Sequence, residues 1–333
     1  MKPRAALLTI LLPCLATGQD RPPPIIDVHL HALPANHQGP PPLAFCLPIR
    51  ELPAWDQRRP WPEVFMQWMK EPDCERLTWS PETDDELTAA TLEIMERRNI
   101  IGVTSGPLLD RYRELAPDRV IPSLMFSIGQ EPPPLAELRG WLESGRYAAL
   151  GEVTNQYAGI LPDDPRFEPY LALAEELDVP VGLHVGPGPP GVAYLGATGY
   201  RGRLHSALVL EEVLLRHPRL RVVAMHAGWP MIEDMLALMW AHPQVHVGVG
   251  LISFALPREE FHAYLKRLVG AGFGNRVLFG SDHMVWPGAL EVALGSIESA
   301  DFLSERQKRA ILYENAARFL RLSDELMATH AGR

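Results

Sequence analysis

The chain has 333 residues, 47% of them hydrophobic and 22% charged, and a formal net charge of −10. That is enough apolar chain for a large core, and it excludes compositional disorder. An acidic chain with no extended basic patch gives nucleic acid no electrostatic footing, and although the length suggests two domains, α/β barrels of this size fold as one.

At the N-terminus Lys2 and Arg4 form a short positive region, followed by a mostly apolar run over 5–15. Ala16-Thr17-Gly18 then offers the small residues that signal peptidases prefer. The expectation is a signal peptide over 1–18 and an exported mature protein, periplasmic or extracellular, with 19–333 as a single domain. The apolar run is too short for a stable membrane span, and Pro13 before Cys14 is a poor fit to a lipoprotein signal. Cleavage would remove two positive charges and no negative ones, moving the net charge from −10 to −12. Cys46 and Cys74 would remain, and an oxidising compartment permits them to pair. Whether their Cβ atoms approach closely enough is left open by the sequence.

Beyond a proline-rich connector at 21–24, short apolar runs alternate with longer helical stretches. The runs cover 25–30, 100–104, 120–126, 148–153, 180–185, 221–225, 245–250 and 276–280. Apolar residues spaced by three and four predict helices over 84–98, 135–144, 166–177, 204–216, 232–240, 259–269 and 289–299, with a last one near 304–320. Strands alternating with helices imply parallel pairing with right-handed crossovers, and eight repeats close a (β/α)8 TIM barrel. An open doubly wound sheet would call for a glycine-rich phosphate turn after the first strand, where this chain has His29-Leu30-His31. One stretch breaks the rhythm: 33–81 is rich in proline and holds Trp55, Trp61, Trp68, Trp79 and both mature cysteines. An insertion after the first strand lies at the C-terminal mouth of a barrel, so a lid-like cap over the site is expected there.

Asp27, His29 and His31 alternate along the first run, which predicts one shared face. Glu152, His184, His226 and Asp282 then end the fourth, fifth, sixth and eighth runs, where barrel enzymes place their chemistry. Imidazole nitrogens and carboxylate oxygens are the ligands of catalytic zinc and related ions. Any one of these residues alone could be a hydrogen-bonded core histidine or a helix cap; together they point to a divalent metal, expected to be zinc. His205 and His283 flank the predicted mouth, and the direction of His246 is undecided. Arg201 and Arg203, after the fifth run, could bind an anionic group or lie solvated at the surface; Tyr157, Trp229 and Trp286 follow strand ends and are candidates for substrate contact or for rim packing.

The set H-x-H, strand-five His, strand-six His and strand-eight Asp resembles the amidohydrolase superfamily. LLRHPRLRVVAMHAG, from Leu214 to Gly228, and VLFGSD, from Val277 to Asp282, resemble its branch that includes aminocarboxymuconate-semialdehyde decarboxylase. The resemblance runs from about Ile25 to Leu320, leaving out the insertion. It implies that His29, His31, His184 and Asp282 hold one metal, with His226 beside the metal's water as base or electrophile. In binuclear relatives the fourth strand supplies a bridging carboxylated Lys or Glu. No Lys occurs there, so a bridge would have to be Glu152, with His184 and His226 on the second ion. One ion is the preferred expectation. Asp282 and His226 would be catalytic; the expected export favours hydrolysis of an ester, lactone or amide, because many decarboxylases of this branch serve cytoplasmic aromatic catabolism, and the same site could decarboxylate a small carboxylic acid. A non-catalytic exported metal- or ligand-binding protein would need the ligands without that acid/base pair. The expected partner is a small molecule, with neither nucleic acid nor a membrane span, and a homo-oligomer stays open.

Overall fold

The computed structural model describes residues 21–332; the leader expected over 1–18 lies outside them. Eight parallel strands run in sequence order around a barrel: β1 (Ile25–His31), β2 (Ile100–Ser105), β3 (Val120–Phe126), β4 (Ala149–Val153), β5 (Val181–His184), β6 (Val222–Met225), β7 (Val245–Gly248) and β8 (Val277–Leu278). Each pairs with the next. The ring is closed between β8 and β1 by Val28 N–H donating to Phe279 O at 2.9 Å and Asp282 N–H donating to His29 O at 2.8 Å. This is a (β/α)8 barrel.

Two apolar layers hold it. Residues between strands and helices, such as Ile100, Leu150, Val181, Val222 and Val247, pack outward on the helical ring. Ile26, Val28, Val103, Ala149, Val223, Met225 and Leu278 fill the interior, and Tyr313, Ala316 and Phe319 plug its base. Each fully buried side chain of this kind is worth about 1.5–3 kcal/mol. His246 joins this basal end, its ring 4.7 Å from that of Phe319.

Most predicted helices form within a residue or two of their expected bounds, among them Asp84–Arg97, capped by a Thr83–Glu86 box, and Arg258–Leu268. Residues 204–216 are not one helix: two 3₁₀ turns, Gly202–His205 and Ala207–Leu210, precede the helix Glu211–Arg216. The break follows from His205, whose ring is tied at both nitrogens, to Tyr200 Oη at 2.6 Å and Trp229 O at 3.0 Å, and from extended Ser206 after it. The last predicted helix divides into Glu305–Arg309, a π-turn and Asn315–Leu320, and a further helix, Asp324–His330, follows. No helix of the described residues is long and apolar enough to cross a membrane.

The insertion is a folded cap. Its strands Ala44–Cys46 and Leu77–Trp79 pair antiparallel, the helix Trp61–Lys70 lies between them, and a Cys46–Cys74 disulfide ties the ends. It leans on three strand-end loops. Trp61 Nε1–H donates to Pro190 O at 3.1 Å after β5. Ile49 N–H donates to Ala255 O at 2.8 Å after β7. Phe45 packs on Trp286 after β8, at 4.8 Å between ring centroids.

Candidate metal centre

Strand β1 does not keep a simple alternation. Its register against β2 shifts between Asp27 and Leu30. Ile26 and Val28 therefore face the interior below the shift, and His29 and His31 face it above. Asp27 consequently does not share the histidines' face. Its Oδ1 accepts from His29 N–H and Ser281 N–H, both at 2.9 Å, so it braces the β1–β8 seam. A bulge that re-aims a side chain is common beside active sites. A second register shift falls at Gly151 and Glu152 of β4, seen against both β3 and β5, and it delivers the Glu152 carboxylate into the same space.

Six buried side chains converge there: His29, His31, Glu152, His184, His226 and Asp282. His29 Nε2 and His31 Nε2 lie 3.1 Å apart. His31 Nε2 is 3.0 Å from Asp282 Oδ1, and His29 Nε2 is 3.6 Å from the same oxygen. Glu152 divides its carboxylate, Oε2 lying 3.6 Å from His29 Nε2 and Oε1 3.1 Å from His226 Nε2 and 3.8 Å from His184 Nε2. Space for these rings is kept by glycine. A Cβ at Gly250 would sit 3.0 Å from both Asp282 Cβ and His29 Nδ1, and one at Gly186 would sit 2.6 Å from His226 Cβ.

Burial pushes the Glu152 carboxyl up, but the surrounding imidazoles, His29 first, pull it well below the ordinary range. Asp282 shifts down in the same way, burial being outweighed by His29 and by the hydrogen bond to His31. Both carboxylates are ionised at neutral pH. Burial works against charge on His31 and His226, yet Asp282 raises the first and the bond to Glu152 raises the second. His184 goes the other way: burial, and then the charge of His226, lower it to about 3, so it is neutral.

Three triads of these residues bring one donor atom each within 4.8 Å of one another: His29, His31, Glu152; His29, His226, Asp282; and Glu152, His184, His226. The site fits a divalent cation by its own chemistry. None of the ion pairs of Glu152 or Asp282 among the described residues involves Lys or Arg. Two buried negative charges therefore need compensation from within the cluster, which protonated imidazoles or a metal ion can give. Neutral His184 faces Glu152 Oε1 with Nε2, acceptor towards acceptor, an arrangement that calls for a cation between them.

Of the other sequence candidates, Tyr157 reaches the cluster, its ring 4.7 Å from His184; burial, then Glu152 and Asp282, push its hydroxyl well up, so it stays a proton donor. Trp229 lies on the rim, with Nε1–H towards Glu260 Oε1 at 3.4 Å. Trp286 is buried under the cap and donates to Leu43 O at 2.9 Å. Arg201 is exposed and bound to Thr198 O and Tyr200 O at 2.8 and 2.7 Å, and Arg203 is exposed as well. The structure does not bring Arg201 or Trp286 to the donor cluster. His283 is buried behind the site, and burial, then His31, lower it to about 3. The sequence offered no sign of Gln156 and Tyr200, which line the wall beside His184 and are joined through Gly186.

An amidohydrolase family model matches residues 26–322. No curated protein matches the sequence. Among solved structures, 5-carboxyvanillate decarboxylase from Novosphingobium aromaticivorans, complexed with manganese, has a TM-score of 0.55 at 15% identity, over 92% of this chain and 98% of that one. 4-Oxalomesaconate hydratase from Rhodopseudomonas palustris has a TM-score of 0.55 at 18% identity, over 92% and 98%. A probable 2-pyrone-4,6-dicarboxylic acid hydrolase from Acinetobacter baumannii has a TM-score of 0.53 at 17% identity, over 90% and 99%. At such identities the likeness is one of fold. The sequence match to the family runs from the first barrel strand to the helix that plugs the base and takes in every donor of the site, so the chain belongs to the amidohydrolase family.

Proposed function

We propose that the protein is an exported metal-dependent hydrolase acting on the carbonyl of an ester, lactone or amide. His29, His31, His184 and Asp282 would hold one ion, with Glu152 facing the same space. Zinc is the proposed metal, because imidazole-rich sites suit it; the manganese of the decarboxylase relative makes that ion the second choice. A divalent ion held there supplies a water that ionises near neutral pH and a positive charge for the carbonyl oxygen.

The observation that carries the reading is the ionised Asp282 carboxylate, 3.0 Å from His31 Nε2 and 3.8 Å from His226 Nδ1. Asp282 accepts the proton of the attacking water and returns it to the leaving group. His226, whose hold on a proton is strengthened by Glu152 and Asp282, faces the developing oxyanion. The hydroxyl of Tyr157 offers a second donor from the β4 side. The cap rests on the loops after β5, β7 and β8, and the donors beneath that end of the barrel are buried.

The test is Asp282→Asn assayed against a panel of esters, lactones and amides. Turnover should fall about 10²- to 10⁴-fold, the usual weight of a positioned acid/base group, with the fold intact by circular dichroism. Near-normal turnover would overturn the assignment.

Non-oxidative decarboxylation of a small carboxylic acid is the second reading, supported by the decarboxylase among the fold relatives. Arg201, a side chain able to pair a substrate carboxylate, is exposed and holds its own loop through Nη1. Release of CO2 with no turnover of the ester, lactone and amide panel would reverse the order. Export is supported by the Cys46–Cys74 bond, and an intact Met1 on protein recovered from the cytoplasmic fraction would contradict it.

A further inference from the structure

We propose that Gln156 is a positioning residue that sets the tautomer of His184 and so decides which ring nitrogen His184 offers to a metal. This rests on the reading of His184 as a metal ligand. Gln156 follows β4 on the 3₁₀ turn Asn155–Ala158 and is buried.

Its amide orientation is fixed by one backbone residue. The Nε2 group donates to Gly186 O at 3.0 Å, and Oε1 accepts from Gly186 N–H at 3.2 Å. Flipping the amide would set donor against donor and acceptor against acceptor, so Oε1 is the acceptor. That oxygen also lies 2.8 Å from His184 Nδ1. An acceptor oxygen at that distance requires His184 Nδ1 to carry the hydrogen, which leaves the Nε2 lone pair free. Nε2 is the nitrogen that points into the cluster, 3.8 Å from Glu152 Oε1.

Gly186 is itself immobilised. Tyr200 Oη lies 2.9 Å from its carbonyl oxygen, and the space a Cβ would need is taken by His226 Cβ at 2.6 Å. A rigid backbone residue therefore orients the amide, and the amide orients the ring. His226 obtains the same outcome without a side chain: its Nδ1 lies 3.0 Å from Gly250 O, so it too carries the hydrogen there. Outer-shell partners that fix a histidine tautomer typically change metal affinity 10- to 100-fold.

The test uses the purified mature protein, stripped of metal, with zinc affinity read by competition against a chromophoric chelator. Gln156→Leu should weaken zinc binding about 10- to 100-fold. Gln156→Glu keeps an acceptor oxygen for His184 but loses the donor to Gly186 O, so its affinity should lie between those of Gln156→Leu and wild type, a partial rescue that a merely structural role would not give; affinity no better than that of Gln156→Leu would count against the proposal. In the metal-free wild type labelled with ¹⁵N-histidine, the long-range ¹H–¹⁵N spectrum should show His184 protonated at Nδ1. A His184 protonated at Nε2 overturns the proposal even where Gln156→Leu fails to fold. Wild-type affinity in Gln156→Leu, together with weakened binding in His184→Ala, overturns the proposal and leaves the proposed function standing. Unchanged binding in His184→Ala removes the ligand assignment and the proposal with it.

Discussion

Replacing His246 with Asn tests how the barrel base responds to acid. His246 donates Nδ1–H to Gln244 O at 3.2 Å and packs its ring on Phe319, 4.7 Å away. Burial lowers its pKa from 6.5 to about 4, with the bond to Gln244 opposing and the charges of Arg276 and Arg318 assisting. Because the folded value lies below the unfolded one, the unfolded chain binds the proton first. The contribution of neutral His246 is therefore fully present above pH 6.5 and is lost as pH falls towards 4. Between pH 7 and pH 5 the loss comes to about 2 kcal/mol, below the about 2.8 kcal/mol of the limiting slope because the unfolded group is only part protonated at the upper end of that range. Asn can keep a donor where Nδ1 stands but cannot titrate. It gives up the ring contact, worth about 0.5–1.5 kcal/mol, at every pH. Urea unfolding at pH 7, 6 and 5, with a chelator present so that metal binding does not contribute, should show the wild type losing about 2 kcal/mol more than the variant. Parallel pH profiles would refute the burial argument for this residue.

Two other substitutions probe the site and its cap. Glu152→Gln leaves the two histidine pairs facing an uncharged amide, and zinc affinity should fall by at least the roughly 100-fold seen for strong outer-shell partners; the chelator competition assay reads it, and affinity within threefold of wild type would show that Glu152 has no part in holding the ion. Exchanging Cys46 and Cys74 for Ser opens a link of sequence separation 28, whose loop entropy is about 3.5 kcal/mol at most. Limited proteolysis should then cut the variant faster within 33–81 than elsewhere, and an unchanged cleavage pattern would mean that packing alone holds the cap.

Much of this molecule could be read from its chain. The strand runs, the helical spacing and the polar residues at strand ends locate the barrel and the six converging side chains, because period-2 and period-3.6 patterns and strand-end chemistry are local properties. What stayed hidden depends on contacts far apart in sequence. Gln156 is an ordinary loop glutamine until Gly186 and His184 lie against it. Trp286 reads as a rim aromatic until Phe45 and Leu43 of the cap cover it. Arg201 reads as an anion binder until its loop folds back on it. The helix expected over 204–216 fails because His205 is held outside helical register by Tyr200 and Trp229, and no propensity in that stretch records such partners.

The aim of the donors was the least legible part, for a physical reason. A period-2 rule puts Asp27 with His29 and His31, and the register shift in β1 separates them. The same rule says nothing of the shift at Gly151 and Glu152 that turns Glu152 inward. Beyond the strands, His226, Ala227, Leu251 and Asp282 take φ values of 62°, 51°, 61° and 53°, a left-handed conformation that side chains rarely adopt. Such conformations cost on the order of 1–3 kcal/mol each and persist only where the surroundings over-determine them. Here the surroundings are visible: Gly250 O fixes His226, and the backbone bond from Asp282 N–H to His29 O fixes Asp282 at the barrel seam. Regular strands put donors near one another; two bulges and a set of strained strand ends point their lone pairs at one space. Both register shifts and these four left-handed residues lie at the C-terminal ends of the strands, so folding energy is spent where metal and substrate would bind.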